Sequence, residues 1–373
     1  MESYRLSSKL SGKSHEYLIQ TSNDVSIGSV LTTVCIDGEP AETAVCPHPP
    51  TADNEEILSY VRTVHNEKKD EIGRLLRAYR KIGSGSDSQE MFHLGVAFFF
   101  RRFFREAAEL FVSVTGLNQK NHQAYNFLGM TELLLGNAER AVAASEVAVS
   151  LSPSYADYHN NLGEALLELG SFEKAVAEFE KAIEINVYYG DAYFNLGLAR
   201  LSDMIADRGQ DVASDRLIQI GDLFHRASLV DTNFRSELFE EGMSALKDKK
   251  FGEALRVLKR VKEEKLITHQ SRQSSFHMKF LLYPDWVSPE VINERIDYLQ
   301  EDLKANPSYI DLHIELAQCY LEQARLAWDK GIQELRTASE LNPAMESVTS
   351  SLRQADTVHD DMLGVLRPLM ERG

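Results

Sequence analysis

The sequence predicts a mainly α-helical chain, a solenoid of repeated helical hairpins with a small antiparallel β module at the N-terminus. Three observations carry this. Leu-Gly occurs at 94–95, 128–129, 162–163 and 196–197, each pair 34 residues after the last. Ala107, Ala141 and Ala175 keep the same step, as do Val114, Ala148 and Ala182. Residues 3–48 instead alternate polar and apolar side chains between turn signals, which is the period of strands.

Within 3–48, Tyr4 and Leu6 alternate with polar residues, as do Tyr17 and Ile19. Turn signals stand at Ser11-Gly12-Lys13, Ser22-Asn23-Asp24 and Asp37-Gly38, so a three- or four-stranded meander is expected. A two-residue turn at Asp37-Gly38 pairs Cys35 with Pro40 and Cys46 with Ser29, so those cysteines do not face each other. With Cys319 they make an odd count without a CxxC pair, which reads as reduced thiols rather than a disulfide or zinc framework. CPHPPTAD, 46–53, ends the β module. Asp53 followed by Glu56 resembles a helix capping box. A helix then runs over about 54–81. Ile57, Val61 and Val64 share one face, and Ile72, Leu75, Leu76 and Tyr79 resume it. Between them HNEKKDE is nearly all charged, which predicts a solvated middle.

The 373 residues allow two domains or one elongated array, and 43% apolar with 26% charged residues is a soluble, foldable composition. A net charge of −17 repels phosphates and argues against nucleic acid as a partner. Met1 is not followed by an apolar secretory segment, and no apolar run approaches the roughly 20 residues that span a bilayer. Cytoplasmic location without membrane insertion is the expectation. Residues 97–111, AFFFRRFFREAAELF, are too short and too rich in arginine for an anchor.

The repeat register resembles the tetratricopeptide repeat, with its W-x₂-L-G-x₂-Y…A-x₃-F…P pattern over 34 residues. Phe98 takes the Tyr place, Phe104 the aromatic of the turn between helices A and B, and Phe111 and Phe179 the helix B aromatic, with Ser145 substituting between them. Pro153 closes one unit. Phe99, Phe100 and Phe103 are surplus to the pattern. The fourth unit is eleven residues too long, with the excess within 202–216, and the fifth, containing KDKKFGEAL, returns to phase. The expected organisation is a β-rich module at 1–50, a connecting helix at 51–81 and a linker at 82–87. Repeats follow over 88–266, then an irregular segment at 267–288 and degenerate repeats at 289–345. One of the degenerate units is marked by Leu316-Ala317, Tyr320, Ala338 and Pro343, and a capping helix at 346–373 closes the array.

The resemblance implies that A helices line a concave groove. Its groove positions here include Phe92, Phe99 and Phe100, then Asn126 and Met130, then Asp157, Asn160, Asn161 and Glu164, then Asp191, Phe194 and Asn195. Asp157 and Asp191 stand where a carboxylate clamp would need lysine, which argues against chaperone tails as ligands. The asparagines can grip the backbone of an extended peptide, since an amide both donates and accepts, or they can bond locally. Phe99 and Phe100 can anchor a ligand or lie buried beneath the N-terminal module. No catalytic, cofactor or metal set is expected. HExxH and GxSxG are missing, His313 and Glu315 do not align on one helix face, and Gly83-Ser84-Gly85 lacks the strand and GK[ST] of a phosphate loop. The expected role is a non-enzymatic protein-interaction scaffold. Its partner is a protein or peptide of apolar and basic character. The other reading is a regulatory sensor whose β module binds a ligand and whose solenoid transmits it.

Overall fold

A computed structural model describes residues 3–13, 15–48, 53–82, 87–207, 214–263, 289–305, 307, 310–342 and 345–370. Residues 83–86 of the expected 82–87 linker, residues 208–213 of the long unit, the segment 267–288 and Pro343 lie outside them. The N-terminal strands β1 (Arg5–Ser11), β2 (Glu16–Asp24), β3 (Ser29–Ile36) and β4 (Glu39–Pro47) form one antiparallel sheet in chain order. Asp37 and Gly38 both take positive φ, 52° and 94°, the backbone that a two-residue hairpin turn requires. Cys35 pairs with Pro40 as expected, but a bulge at Val34/Cys35 shifts the register so that Cys46 lies opposite Val30 and not Ser29. All three cysteines are free thiols.

Helix α1 (Asn54–Ile82) lies on the sheet. The Asp53 carboxylate accepts the N–H groups of Glu55 and Glu56, both at 2.9 Å, and the Glu56 carboxylate accepts the Asp53 N–H at 3.0 Å. This is a reciprocal capping box. Ile57 and Val61 pack on Val30. Asn66, Glu67, Lys69 and Asp70 of the charged middle are exposed as the sequence suggested, but His65, Lys68 and Glu71 find partners. His65 is buried and hydrogen-bonds Ser8 (2.8 Å) and Thr21 (3.0 Å). Lys68 reaches Glu42 (3.0 Å) and Glu71 (2.9 Å). The sheet supplies polar partners along this stretch, so burial there leaves these groups satisfied.

The first compact unit runs from the sheet to Ala182. It contains the hairpins α2 (Ser88–Phe100) with α3 (Phe104–Leu117), α4 (His122–Leu134) with α5 (Ala138–Leu151), and α6 (Ala156–Glu168) with α7 (Phe172–Ile185). Each hairpin closes on a glycine. A Cβ on Gly95 would lie 2.7 Å from the Phe111 ring, and one on Gly163 would lie 2.6 Å from Phe179. Opposite Gly129 the ring is replaced by Ser145. Ala107, Ala141 and Ala175 are fully buried beside these contacts. Each A helix ends in the same left-handed turn, at Arg102 (φ 63°), Gly136 (79°) and Gly170 (76°). The next N–H returns to the helix, from Phe103 to Phe98 O, Asn137 to Glu132 O and Ser171 to Leu166 O, in the Schellman pattern.

Most apolar side chains of residues 97–111 are packing, with Phe100 half-buried. Phe98 meets Tyr79 edge-on at 5.2 Å, and Phe103 meets Tyr17 at 5.3 Å. Sheet, α1 and the first hairpin share one continuous core. Polar ties cross the same junction. The Tyr17 hydroxyl donates to buried Glu106, and the Tyr79 hydroxyl donates to Glu109 at 2.5 Å. Arg101, itself buried, pairs with Glu42 (2.7 Å) and with Glu71.

The second unit takes the described residues from Ile183 onward. It contains α8 (Gly190–Ala206), α9 (Ser214–Val230), a 3₁₀ turn (Thr232–Phe234), α10 (Glu237–Lys247), α11 (251–263), α12 (Pro289–Ala305), α13 (Ile310–Leu341) and α14 (Glu346–Met370). Helices α8 and α9 have 17 residues each where the earlier hairpins use 13 and 14, so both helices of the long unit are extended. The glycine contact recurs, Gly197 on Phe224 and Gly242 on Leu258, and Lys249 (φ 61°) repeats the left-handed turn. The unit expected around Leu316 and Ala338 does not fold back. Residues 310–341 are one 32-residue helix, because helix formers fill the stretch where the turn would fall and Gly331 alone does not break it.

The glycine contacts give a prediction with opposite signs on two facing helices. Gly197→Ala places a Cβ 2.8 Å from the Phe224 ring. Overpacking costs about 1–3 kcal/mol, more than the ~1 kcal/mol of helix propensity gained. Gly221, inside α9, has nothing within 4 Å, so Gly221→Ala stabilises by about 0.5–1 kcal/mol. Urea midpoints of the two variants should move in opposite directions.

Candidate functional site

Helices α2, α4 and α6 stand side by side in the first unit. Phe127 of α4 links the first two. Its ring lies 5.8 Å from Phe92, 5.4 Å from Phe99, 6.2 Å from Phe100 and 5.5 Å from Phe111, stacked on the last. Asparagines join α4 to α6: the Asn161 amide donates to Asn126 Oδ1 at 2.9 Å. Asn126 also contacts Met130 Sδ at 3.9 Å, and Asn160 donates to Glu164 at 3.1 Å. At the start of these helices His122 and the Tyr158 hydroxyl hydrogen-bond at 2.6 Å, and Tyr155 stacks on Tyr158 at 4.8 Å.

These contacts divide the twelve expected groove residues. Phe92 and Phe99 are buried, 9% and 4% exposed, so they are core between hairpins rather than open ligand anchors. Phe99 packs on Phe100, Phe104 and Phe127. Asn126 and Asn160 are buried, and their amides serve the bonds just described. In the second unit Phe194 is fully buried against Phe224 (5.1 Å) and Phe234 (4.5 Å), and Asn195 is buried beside it in the chain. Long helices α8 and α9 enclose that aromatic cluster, so these two are corrections to the expected groove. Half-buried, and open on one side, are Phe100, Met130, Asp157, Asn161 and Glu164 in the first unit and Asp191 in the second. Asp157, Asn161 and Glu164 follow at helical spacing on one face of α6.

Phe127 was missed from the expected residues, yet it occupies the sixth place of its unit, the same as Asn161 and Asn195. His93 holds that place in α2, and burial lowers its pKa to about 4, so the imidazole is neutral near pH 7. Among the described residues no group of three or more His, Cys, Asp or Glu could hold a metal ion, and no helix is long and apolar enough to cross a membrane.

A tetratricopeptide repeat model matches residues 92–156, and a TPR repeat model matches 163–202. The chain carries tetratricopeptide repeats. No curated protein matches it by sequence. Solved structures similar to it include MamA (residues 41 to the end) from Desulfovibrio magneticus RS-1, at 17% identity and TM-score 0.37, covering 50% of this chain and 98% of that one. YrrB, a TPR protein with an unusual peptide-binding site, aligns at 15% identity and TM-score 0.35 over 55% of this chain and 97% of its own. The first TPR of Spaghetti (RPAP3), bound to an HSP90 peptide, aligns at 21% and 0.30 over 32% and 97%.

One charged pair fastens the third repeat. His159 Nδ1 faces Glu178 at 2.6 Å and Nε2 faces the Pro153 carbonyl at 3.0 Å. Both nitrogens meet acceptors, which favours the imidazolium. The hydrogen bond to Glu178 raises the histidine above its ordinary 6.5 despite burial, and the bond to His159 lowers Glu178. The histidine's contribution to stability is full below the unfolded value, about 6.5, and is lost as pH rises through the raised folded value. The melting difference between the natural chain and His159→Gln should therefore be larger near about pH 6 than near about pH 9.

Proposed function

We propose that this chain is a protein-interaction scaffold that holds a peptide segment of a partner on the A-helix face of its first three repeats. The observation that carries the reading is one surface of mixed character, joined side chain to side chain. Phe100, Phe127 and Met130 supply an apolar end, and Asp157, Asn161 and Glu164 supply a polar, acidic end. A ligand with an apolar anchor followed by lysine or arginine suits both. Buried apolar anchors dominate such interfaces, and rim charges tune rate and salt dependence. Asp191 belongs to the same class of position in the fourth repeat.

The sensor reading has one observation in its favour. The β module shares a core with the first hairpin, so a ligand on the sheet has a packed route to α2. Loosening that junction with Arg101→Met separates the readings: a simple scaffold keeps its peptide affinity, whereas a sensor changes it.

The scaffold reading is tested by offering the full chain an array of peptides that pair an aromatic or aliphatic anchor with basic residues. Phe100→Ala should weaken the best binders by about 1–2 kcal/mol without lowering the melting temperature by a comparable amount. Asp157→Lys should weaken them and flatten the salt dependence. An array without binders, or two variants that bind as the natural chain does, overturns it.

A further inference from the structure

The A helices of the first three repeats carry no positive charge of their own. Helices α2, α4 and α6 have 13 residues each and hold Glu90, Glu132, Asp157, Glu164 and Glu168 without one lysine or arginine. Yet Asp157 and Glu164 are half-buried, as is Phe100. Carboxylates withdrawn from water keep partners. Phe100, Asp157, Asn160 and Glu164 each hold an interaction beyond those described above.

The chain itself contains a segment of the complementary kind. From Lys265 to Pro284, KLITHQSRQSSFHMKFLLYP, 20 residues pass without an acid, in a chain of net charge −17. Lys265, Arg272 and Lys279 are basic, and Phe276, Met278 and Phe280 are apolar. The order Phe276-His277-Met278-Lys279-Phe280 sets aromatic anchors beside a base, which is the ligand character that the face suits. The repeats make no use of this stretch, since the 34-residue pattern is lost there.

The division of the chain points the same way. The first compact unit comprises Met1–Ala182 together with Leu266–Leu281, whereas α11 and α12, which flank that segment in sequence, belong to the second. Packed helices stand about 8–10 Å apart, so three of them are crossed by about eight extended residues. Residues 264–288 exceed that length with chain to spare at both ends.

We propose, resting on the scaffold reading above, that the A-helix face of the first three repeats is occupied by the chain's own segment Leu266–Leu281, an internal ligand that an outside partner must displace. Phe276 and Phe280 serve as its anchors at the apolar end, and Arg272 and Lys279 answer Asp157 and Glu164. A tethered segment acts at a local concentration on the order of millimolar, so contacts of modest strength hold it.

The test compares the full natural chain with one carrying Arg272→Glu, Phe276→Ser, Lys279→Glu and Phe280→Ser together. Both are titrated with a labelled peptide of residues 264–288. The altered chain should bind it about ten-fold or more tightly than the natural chain, whose own segment competes. Phe100→Ala in the altered chain should abolish that gain. Trypsin reads the same contact with the segment unaltered. Cleavage of the natural chain at Arg272 and Lys279 should be slow, and Phe100→Ala with Glu164→Gln should speed it about ten-fold. Equal peptide affinity for the two chains overturns the proposal, as does cleavage at Arg272 and Lys279 that the two face substitutions leave unchanged. The scaffold reading fails separately. If array peptides bind both chains alike and the 264–288 peptide binds neither, the internal ligand falls and the scaffold stands. If the 264–288 peptide binds the altered chain and no array peptide binds either, the internal ligand stands and the outside peptide partner falls.

Discussion

The fold depends on a close approach between the two helices of each repeat. Where helix A presents glycine, helix B lays a ring or a branched side chain across the bare backbone, as Phe111 does on Gly95, Phe179 on Gly163, Phe224 on Gly197 and Leu258 on Gly242. The contact fixes separation and rotation together, since a ring can lie flat only against a residue without a Cβ. The buried alanines at 107, 141 and 175 extend the same approach along helix B. The ring also serves the next repeat. Phe111 stacks on Phe127, so one side chain closes its own hairpin and seats its neighbour. In the second repeat Ser145 has no ring to offer, and His122, Tyr155 and Tyr158 contribute aromatic contacts between α4 and α6 instead.

The ends of an array have no neighbour, and the β module meets that need at the N-terminus. Tyr17 and Tyr79 do for Phe103 and Phe98 what a preceding repeat would otherwise do. The junction is polar as well as apolar. A buried ion pair is costly to form, but Arg101 is held by two carboxylates and Lys68 shares both of them, so no charge in the set is left alone. Such a set favours one docking of sheet on hairpin over others. It follows that the sheet and α1 are part of the first repeat's core, and removing them would uncover Phe98 and Phe103.

Much of this was legible in the sequence because the signals are local and repeated. The 34-residue step, the capping box at Asp53 and Glu56, and the hairpin at Asp37-Gly38 each rest on residues close in the chain. What escaped depends on pairs far apart. HNEKKDE reads as a solvated run until Glu42 and Arg101 come to Lys68 and Glu71, and Ser8 and Thr21 come to His65. The bulge at Val34/Cys35 moves Cys46 by one place and leaves no mark in the composition. At the candidate site the sequence did not show which side chains are exposed. Phe92, Phe99 and Phe194 were expected in a groove, yet neighbouring rings cover them. In α13 the repeat's letters are present, but the turn between them is missing.

The most direct test of the central claim is a double-mutant cycle on Gly163 and Phe179, read by urea unfolding of the full chain. Gly163→Ala sets a Cβ 2.6 Å from the ring, and Phe179→Leu replaces the ring with a side chain that can move aside. If the contact sets the packing of the hairpin, the pair is coupled by about 1 kcal/mol or more, and the double variant is more stable than the two single losses predict. Simple additivity of the two losses would contradict the account.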